Sequence, residues 1–189
     1  FIPAHNEQAI IADTLASLDA TDYPRDRFEV YVVADNCADE TAAIVRRAGW
    51  QVRERHDTAS PGKGPALNWL YAQLVADGDP FDAVVVVDAD TLVDAAFLRE
   101  MDRALSNGVR VAQGYYSVRA VERSSAASLR YAALACRHRL RPLGRTRLGC
   151  AAGVYGNGMM FERSVLAELP WTGHLVEDAQ MQIELLLRD

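Results

Sequence analysis

Two carboxylates one residue apart, Asp88 and Asp90, directly follow the apolar run 83–87. In a strand that continues through them, residues two apart lie on the same face, so the two side chains would be neighbours. Like charges about 5 Å apart repel by roughly 3 kcal/mol at an effective dielectric constant of 20, which favours a cation between them. Oxygen ligands suit Mg²⁺ or Mn²⁺, and such an ion would hold a diphosphate alongside. Exposed carboxylates that merely cap a loop and the next helix are the alternative.

Polar side chains also follow the other predicted strands. The segment Pro3-Ala-His-Asn-Glu7 follows the first, Asp35 follows the second, and the loop after the third contains Lys63 between two glycines. Lys63 is the only lysine among 20 basic residues, and a compact ammonium suits a phosphate. Each residue alone has an ordinary explanation, since Asp35 suits a turn and Asn6 suits a helix N-cap. Their joint occurrence at successive strand ends favours one binding site.

A second pair of acids, Glu177 and Asp178, stands at the start of a predicted amphipathic helix. The positive end of a helix dipole stabilises a negative charge by about 0.3–1 kcal/mol, which helps to keep a carboxylate ionised. An ionised carboxylate can act as a general base and take the proton of an attacking hydroxyl. Acids in the first turn also stabilise ordinary helices, so the pattern alone leaves both explanations open.

The elements that would position these residues alternate between strands and helices. Predicted strands cover residues up to 2, 28–34, 50–54, 83–87, 109–114 and 159–161. Predicted helices cover residues 7–18, 39–48, 65–75, 94–105 and 124–140, with a glycine-rich loop at 144–158 and further helices from about 163 and 177. This order indicates βαβ units and a mainly parallel α/β sheet in a single domain. Open parallel sheets bind ligands beyond the carboxyl ends of their strands, where the polar residues fall.

The composition is that of one globular domain, with 189 residues of which 50% are hydrophobic. The net charge is −6, but residues 119–147 contain eight arginines and one acid, Glu122. An acidic chain with one basic belt argues against a general nucleic-acid binder. Arg130, Arg137 and Arg141 recur at helical spacings within the belt. Contact with an anionic membrane, a solvated face and contact with another protein segment all stay open for it.

The three cysteines, Cys37, Cys136 and Cys150, form no CxxC pair, so we expect neither disulfides nor structural zinc and favour a reducing, cytoplasmic compartment. No apolar run approaches the roughly 18 residues of a membrane span. The chain opens on Phe1 without a methionine or a basic leader, and we interpret it as a piece of a longer protein.

Six short motifs, taken in this order, resemble glycosyltransferase family 2, whose fold is GT-A. They are residues 2–7 (IPAHNE), 32–41 (VVADNCADET), 62–68 (GKGPALN), 86–91 (VVDADT), 156–161 (GNGMMF) and 176–178 (VED). The resemblance extends over essentially the whole chain. It is greatest to the membrane-associated, synthase-like members, relatives of cellulose, chitin and hyaluronan synthases.

The resemblance implies transfer of a sugar from a nucleotide-sugar donor, a UDP-sugar, to a hydroxyl acceptor, with inversion at the anomeric carbon and a divalent metal cofactor, Mg²⁺ or Mn²⁺. The implied donor-binding residues are Pro3, Ala4, Asn6, Glu7, Asp35 (at the uracil or ribose), Lys63 (at the diphosphate), Asp88 and Asp90. Asp90 and Asp88 would hold the metal. Asp178 would be the catalytic base with Glu177 beside it, and Gly156, Asn157 and Gly158 would shape the acceptor side.

The resemblance further implies a division of the domain, with residues 1–114 approximately binding the donor and residues 115–189 forming the acceptor side. The acceptor would be a glycan or a lipid-linked molecule. The parent protein would be embedded in a membrane through other segments, with this domain on the cytoplasmic side. The QxxRW motif of processive synthases does not occur in the chain, so processivity is not implied.

Other classes fit the motifs less well. A haloacid-dehalogenase-like phosphatase also places Asp-x-Asp after an apolar strand, but it favours Thr or Val two places beyond the second Asp, where this chain has Leu92. A sugar nucleotidyltransferase usually begins with a glycine-rich basic loop, and a Rossmann dehydrogenase needs GxGxxG after the first strand. Neither pattern occurs near the start of the chain. A non-catalytic nucleotide-sugar-binding module stays open as an alternative.

Overall fold

Two three-stranded sheets, which Phe1 joins side by side, form the centre of the computed structural model. The structure describes residues 1–118, 125–171 and 177–188, and their side chains except those of residues 177–179 and 188. The strands are β1 (Ile2–Ala4), β2 (Tyr31–Asp35), β3 (Gln51–Arg55), β4 (Ala83–Val86), β5 (Val111–Gln113) and β6 (Met159–Glu162). The helices are α1 (Ile11–Asp19), α2 (Thr41–Arg47), α3 (Lys63–Asp77), α4 (Phe97–Ser106), α5 (Ser125–Ala135), α6 (Arg141–Arg147), α7 (Arg163–Glu168) and α8 (Glu177–Arg188).

The sheet is mainly parallel, as the sequence predicts. The strands β1, β2 and β3 pair in parallel, and β6 pairs antiparallel with both β4 and β5. Phe1 joins the two groups, because its amino group donates to the Val85 carbonyl at 2.6 Å and its carbonyl accepts from the Val87 amide at 3.0 Å. The strand order is therefore β3-β2-β1-β4-β6-β5, with only β6 reversed among the described strands.

Helices cover both faces of the sheet, because successive strand side chains point to opposite sides. Val32 packs with Ile11 and Leu15 of α1 on one face, and Val33 packs with Leu70 of α3 on the other. Both faces being buried explains why β2 and β4 have continuous apolar runs rather than an alternating pattern. Among the described helices, none has the combined length and apolarity that crossing a bilayer requires.

Helix α1 begins later than the sequence predicts, at Ile11 rather than at Glu7. Asn6 is not its N-cap, since its backbone has a φ of +56° and an N-cap residue has an extended conformation. The Asn6 side-chain oxygen accepts from the Ala38 amide at 2.8 Å instead, which ties the loop after β1 to the loop after β2. Asn is one of the few non-glycine residues that adopt this left-handed conformation readily.

The predicted loop before α3 is shorter than expected, because α3 begins at Lys63 rather than at Pro65. Pro65 still lies in the first turn, where its missing N–H leaves no helical hydrogen bond unmade. The preceding Gly62 has a φ of +111°, a conformation that side chains rarely adopt. Lys63 is consequently held on a helix rather than on a loop.

The arginine-rich stretch also differs from the prediction. Helix α5 continues through a π-helical turn, Cys136–Leu140, into α6, so the helical segment reaches Arg147 and the glycine-rich loop is shorter than predicted. The π-helical turn interrupts the 3.6-residue periodicity that would place Arg130, Arg137 and Arg141 on one side. All three arginines are exposed.

Candidate functional site

An open cleft of about 700 Å³ lies at the carboxyl ends of β1, β2 and β4. Seven of the eight predicted donor-binding residues line it: Pro3, Ala4, Glu7, Asp35, Lys63, Asp88 and Asp90. Asn6 does not line the cleft, and its side chain instead holds the loop after β1 to the loop after β2. A second cavity of about 520 Å³ opens beside Phe1 and Tyr23, and none of the predicted site residues lines it. The position of the first cleft follows from the parallel strands, whose carboxyl ends meet at one edge.

A turn, not a strand, presents the two carboxylates of the Asp88-Ala-Asp90 motif. Strand β4 ends at Val86, and the Thr91 amide donates to the Asp88 carbonyl at 3.1 Å. The expectation that strand alternation places both carboxylates on one face was therefore wrong. Asn157 braces the turn, since its side-chain oxygen accepts from the Asp88 amide at 3.1 Å and its nitrogen donates to the Thr91 hydroxyl at 2.8 Å.

Lys63 forms an ion pair with Asp88 and also donates to the Gly156 carbonyl. Both charged side chains are partly buried, so the contact connects α3, the turn after β4 and the loop before β6. The lysine charge offsets one of the two carboxylates. Asp90 is exposed and makes no hydrogen bond or ion pair with the part of the chain that the structure describes. The cleft is thus lined by one carboxylate that Lys63 pairs with, Asp88, and by a second that has no such partner among the described residues, Asp90.

The donor set of Asp88 and Asp90 fits a divalent ion that is shared with a substrate. Asp88 has one oxygen on Lys63 and one that the ion pair does not use, and Asp90 has two. Residues 1–118, 125–171 and 177–188 contain no group of three or more His, Cys, Asp or Glu side chains that would enclose an ion. Mg²⁺ is commonly bound through one or two carboxylates, water and substrate phosphates, which is the coordination that these two residues can complete.

A buried ion pair fixes the floor of the cleft at the other end. Arg55 is 6% exposed, and its guanidinium donates to Asp35 at 2.6 Å, to Asp57 at 2.7 Å and to the Ser60 carbonyl at 2.8 Å. The other Asp35 oxygen accepts from the Gly62 amide at 3.1 Å. This network holds the 57–62 loop against the ends of β2 and β3. Asp35 retains acceptor capacity towards the cleft, because an ionised carboxylate accepts about four hydrogen bonds.

Sequence reasoning missed Arg55, although a signal was present. Asp35 ends β2 and Arg55 ends β3, and the two residues are direct partners in the parallel register. Opposite charges at the ends of two consecutive predicted strands indicate a pair when those strands are neighbours. Only the strand order, which the sequence does not state, makes that inference secure.

The loop before β6 supplies the predicted acceptor-side residues Gly156, Asn157 and Gly158. The side chain of Gln113, at the end of β5, binds this loop through two hydrogen bonds. It donates to the Asn157 carbonyl at 2.6 Å and accepts from the Tyr155 amide at 2.7 Å. The Gly158 amide donates to the Val86 carbonyl at 2.9 Å. The loop is therefore clamped between β4 and β5, directly beside the Asp88 turn. Gln113 is a second positioning residue that the motifs did not reveal.

A ring cluster joins this loop to the arginine-rich helices. His138 in the π-helical turn is buried, with its ring centroid 4.2 Å from that of Tyr116 and 5.1 Å from that of Tyr155. Burial lowers the pKa of His138, and the charge of Arg137 lowers it further, so both effects favour the neutral imidazole. Its buried Nδ1 makes no hydrogen bond to the described residues.

The predicted base lies at the start of α8. The helix begins at Glu177, as the sequence predicts, but the side chains of Glu177 and Asp178 lie outside the described residues. The middle of α8 contacts the hydrophobic core, since Met181 packs there beside Trp171. The Gln182 side chain lies against Gly153, where an added Cβ would come within 3.0 Å of it. Helix α8 thus packs against the loop that contains the acceptor-side residues.

The comparisons with known proteins identify the family of the chain. The family described as "Glycosyltransferase like family 2" matches residues 1–188. A β-monoglucosyldiacylglycerol synthase of Synechocystis sp. is 39% identical over 105 residues, which are 53% of this chain and 21% of that protein. A probable glycosyltransferase of Bacillus subtilis, YdaM, is 27% identical over 97% of this chain and 45% of its own length. The chain therefore spans less than half of either curated relative.

The solved structures show the same fold. Glucosyl-3-phosphoglycerate synthase from Mycobacterium tuberculosis, in a crystal structure with Mn²⁺, UDP-glucose and phosphoglyceric acid, superposes with a TM-score of 0.67. The match covers 99% of this chain and 64% of that one at 24% identity, a level that establishes the fold alone. The fold is GT-A, as the resemblance implied. Since the family match omits only the last of 189 residues, the chain belongs to glycosyltransferase family 2.

Proposed function

We propose that this domain transfers a sugar from a UDP-sugar to a hydroxyl acceptor, with inversion at the anomeric carbon and with the help of a divalent ion. The observation that carries the proposal is the convergence of Asp35, Lys63, Asp88 and Asp90 on one cleft at the carboxyl edge of the sheet. The buried Asp35 at one end of the cleft suits a nucleoside. Lys63, Asp88 and Asp90 at the other end suit a charged diphosphate, with a divalent ion between it and the two acids.

The donor would lie along the cleft with its nucleoside at Asp35 and its diphosphate at Lys63, Asp88 and Asp90. Asp35 would accept a hydrogen bond from the uracil or the ribose, and Pro3, Ala4 and Glu7 would form the adjoining wall. Support for UDP and for a metal comes from the Mycobacterium tuberculosis structure, which contains UDP-glucose and Mn²⁺. Asn6 would act indirectly by holding the loops of β1 and β2 together.

The reaction would be a single displacement. Asp178 would take the proton of the acceptor hydroxyl as its oxygen attacks the anomeric carbon, opposite the departing UDP. The new carbon–oxygen bond would form as the bond to the diphosphate breaks, and the electron pair would leave with UDP. A divalent ion held by Asp88 and Asp90 would neutralise charge that develops on the diphosphate. Lys63 would donate a hydrogen bond to the same group, and Glu177 would stand beside the base.

The acceptor would bind on the side formed by residues 115–189, with residues 1–114 binding the donor. Gly156, Asn157 and Gly158 would shape the acceptor side, and the clamp of Gln113 on this loop supports a fixed surface there. A glycan or a lipid-linked acceptor is proposed, as in the synthase-like members of the family. The name of the Synechocystis relative, a glycolipid synthase, supports a lipid-linked acceptor. A membrane-associated parent with this domain on the cytoplasmic side is proposed with it.

A thermal-shift panel of nucleoside diphosphates, each with and without Mn²⁺, tests the donor proposal. We expect UDP with Mn²⁺ to stabilise the chain most. At a concentration of 100 times Kd, the stabilisation of about 2.7 kcal/mol corresponds to a rise in Tm of about 5–10 °C for a domain of this size. GDP and TDP serve as matched controls. No response to UDP, together with Mg²⁺-dependent hydrolysis of a generic phosphoester, would favour the phosphatase instead.

A further inference from the structure

The segment of residues 125–150, called here the arginine arm, differs in charge from the rest of the chain. It contains six arginines and no acidic residue. Because the whole chain has a net charge of −6 and the arm has +6, the remaining residues have a net charge of −12. A positive surface on an otherwise acidic protein directs the molecule towards an anionic partner.

The arginine arm also exposes apolar side chains. Helix α5 has no buried residue among its eleven, although most of them are apolar. Leu129, Leu140, Leu143 and Leu148 are between 51% and 81% exposed. Isolated exposed leucines are common, but four within twenty positions, interleaved with arginines, form a surface that water solvates poorly. The arm therefore offers both positive charge and apolar area to a partner.

The arm is fixed to the domain at its middle. His138 and Pro142 are its only buried residues, and the His138 ring packs between Tyr116 and Tyr155. Tyr155 directly precedes the clamped acceptor-side loop. A surface that binds the arm would consequently come to lie next to the acceptor side of the cleft.

We propose that the arginine arm docks the domain on an anionic lipid bilayer, with the arginines at the lipid phosphates and the leucines among the first acyl carbons. Clusters of about four to eight basic residues attract anionic lipid head groups, and the exposed leucines add apolar area that the bilayer can bury. A nucleic-acid surface would not use exposed leucines. Pairing of the arm with the arm of a second copy would bring two sets of six arginines together. The proposal concerns a different surface from the donor cleft and does not depend on it.

Flotation of the purified chain with lipid vesicles tests the proposal. We expect binding to vesicles that contain phosphatidylglycerol, no binding to phosphatidylcholine alone, and loss of binding at high salt. The triple variant Arg130→Gln, Arg137→Gln and Arg141→Gln should bind roughly a hundredfold more weakly, at about fivefold per arginine near the surface. The control with the same charge change, Arg47→Gln, Arg99→Gln and Arg103→Gln, should bind as the wild type does.

A second variant tests the apolar contribution. Replacing Leu129 and Leu148 with Gln should weaken vesicle binding without changing its salt dependence, because the charge is unchanged. Every variant should keep the stabilisation by UDP and Mn²⁺, which shows that the cleft is intact. Equal binding by the arginine variant and its control would overturn the proposal. So would unchanged binding of the leucine variant, or a wild-type dimer that the leucine variant converts to a monomer.

Discussion

Replacing Asp178 with Asn is expected to lower the transfer rate of the full-length enzyme by about 10²–10⁴-fold, the usual contribution of a general base. The amide has nearly the same shape as the carboxylate but cannot take a proton from the acceptor hydroxyl. Asp178 is the second residue of α8, where the helix dipole favours an ionised acid. Steady-state assays with a UDP-sugar and a hydroxyl acceptor should show the loss in kcat rather than in the KM for the donor.

The matched control is the neighbouring residue. Glu177→Gln removes the same charge from the same helical turn and should reduce transfer less than the Asp178 variant does. Calorimetric titration should give the same UDP affinity for both variants and for the wild type. Loss of UDP binding in Asp178→Asn, or an equal loss of transfer in both variants, would contradict the role assigned to Asp178.

Replacing Arg55 with Met is expected to destabilise the fold by about 3–5 kcal/mol, because it leaves the Asp35 carboxylate buried without its cation. Arg55 and Asp35 are 6% and 7% exposed at their side chains, so water cannot replace the lost contact. The 57–62 loop, which Arg55 holds through Asp57 and the Ser60 carbonyl, should loosen at the same time. Urea denaturation of the wild type and the variant measures the change.

Arg53 provides the control, since it lies two residues earlier on β3 and forms an ion pair with Asp77 in which both side chains are largely exposed. Arg53→Met should cost at most about 1 kcal/mol. The double variant Arg55→Met, Asp35→Leu should recover part of the stability lost in Arg55→Met, because no unpaired charge is left buried. Equal unfolding midpoints for Arg55→Met and Arg53→Met would show that the buried pair does not hold the cleft floor.

The strands and the edge of the sheet that contains the cleft could be predicted, because the local sequence patterns are the ones that the packing of this sheet requires. The valine-rich runs of β2 and β4 indicate strands buried on both faces, and in the structure helices pack against both faces of each strand. The clustering of Asp35, Asp88 and Asp90 followed from the rule that parallel strands end at one edge. No further information was needed to place these residues near one another.

The contacts within the site could not be predicted from local patterns, because they join distant segments. Asn157 braces the Asp88 turn across 69 positions of the chain, and Lys63 reaches the Gly156 carbonyl across 93. The family motifs drew attention to Asn157 as an acceptor-side residue, whereas its side chain stabilises the turn that presents Asp88. Such contacts depend on strand order and on loop conformation, which short-range periodicity does not specify.

Two of the errors in element boundaries have identifiable physical causes. Tertiary hydrogen bonds at the edge of the sheet override local propensity, as at Asn6, where a contact to Ala38 replaces an N-cap. Helix α3 gains its early start from Gly62, whose positive φ lets the chain turn directly into Lys63. Both departures occur beside the cleft, where the loops are shaped by contacts with one another.

The most direct test of the account is calorimetric titration of UDP, with and without Mn²⁺, into the wild type and two aspartate variants. Asp90→Ala removes the free carboxylate of the cleft, and Asp82→Ala removes an exposed carboxylate that precedes β4. We predict that Mn²⁺ strengthens UDP binding in the wild type and in Asp82→Ala and has no effect in Asp90→Ala. Undiminished Mn²⁺-dependent binding in Asp90→Ala would contradict the claim that this turn holds the diphosphate through a metal ion.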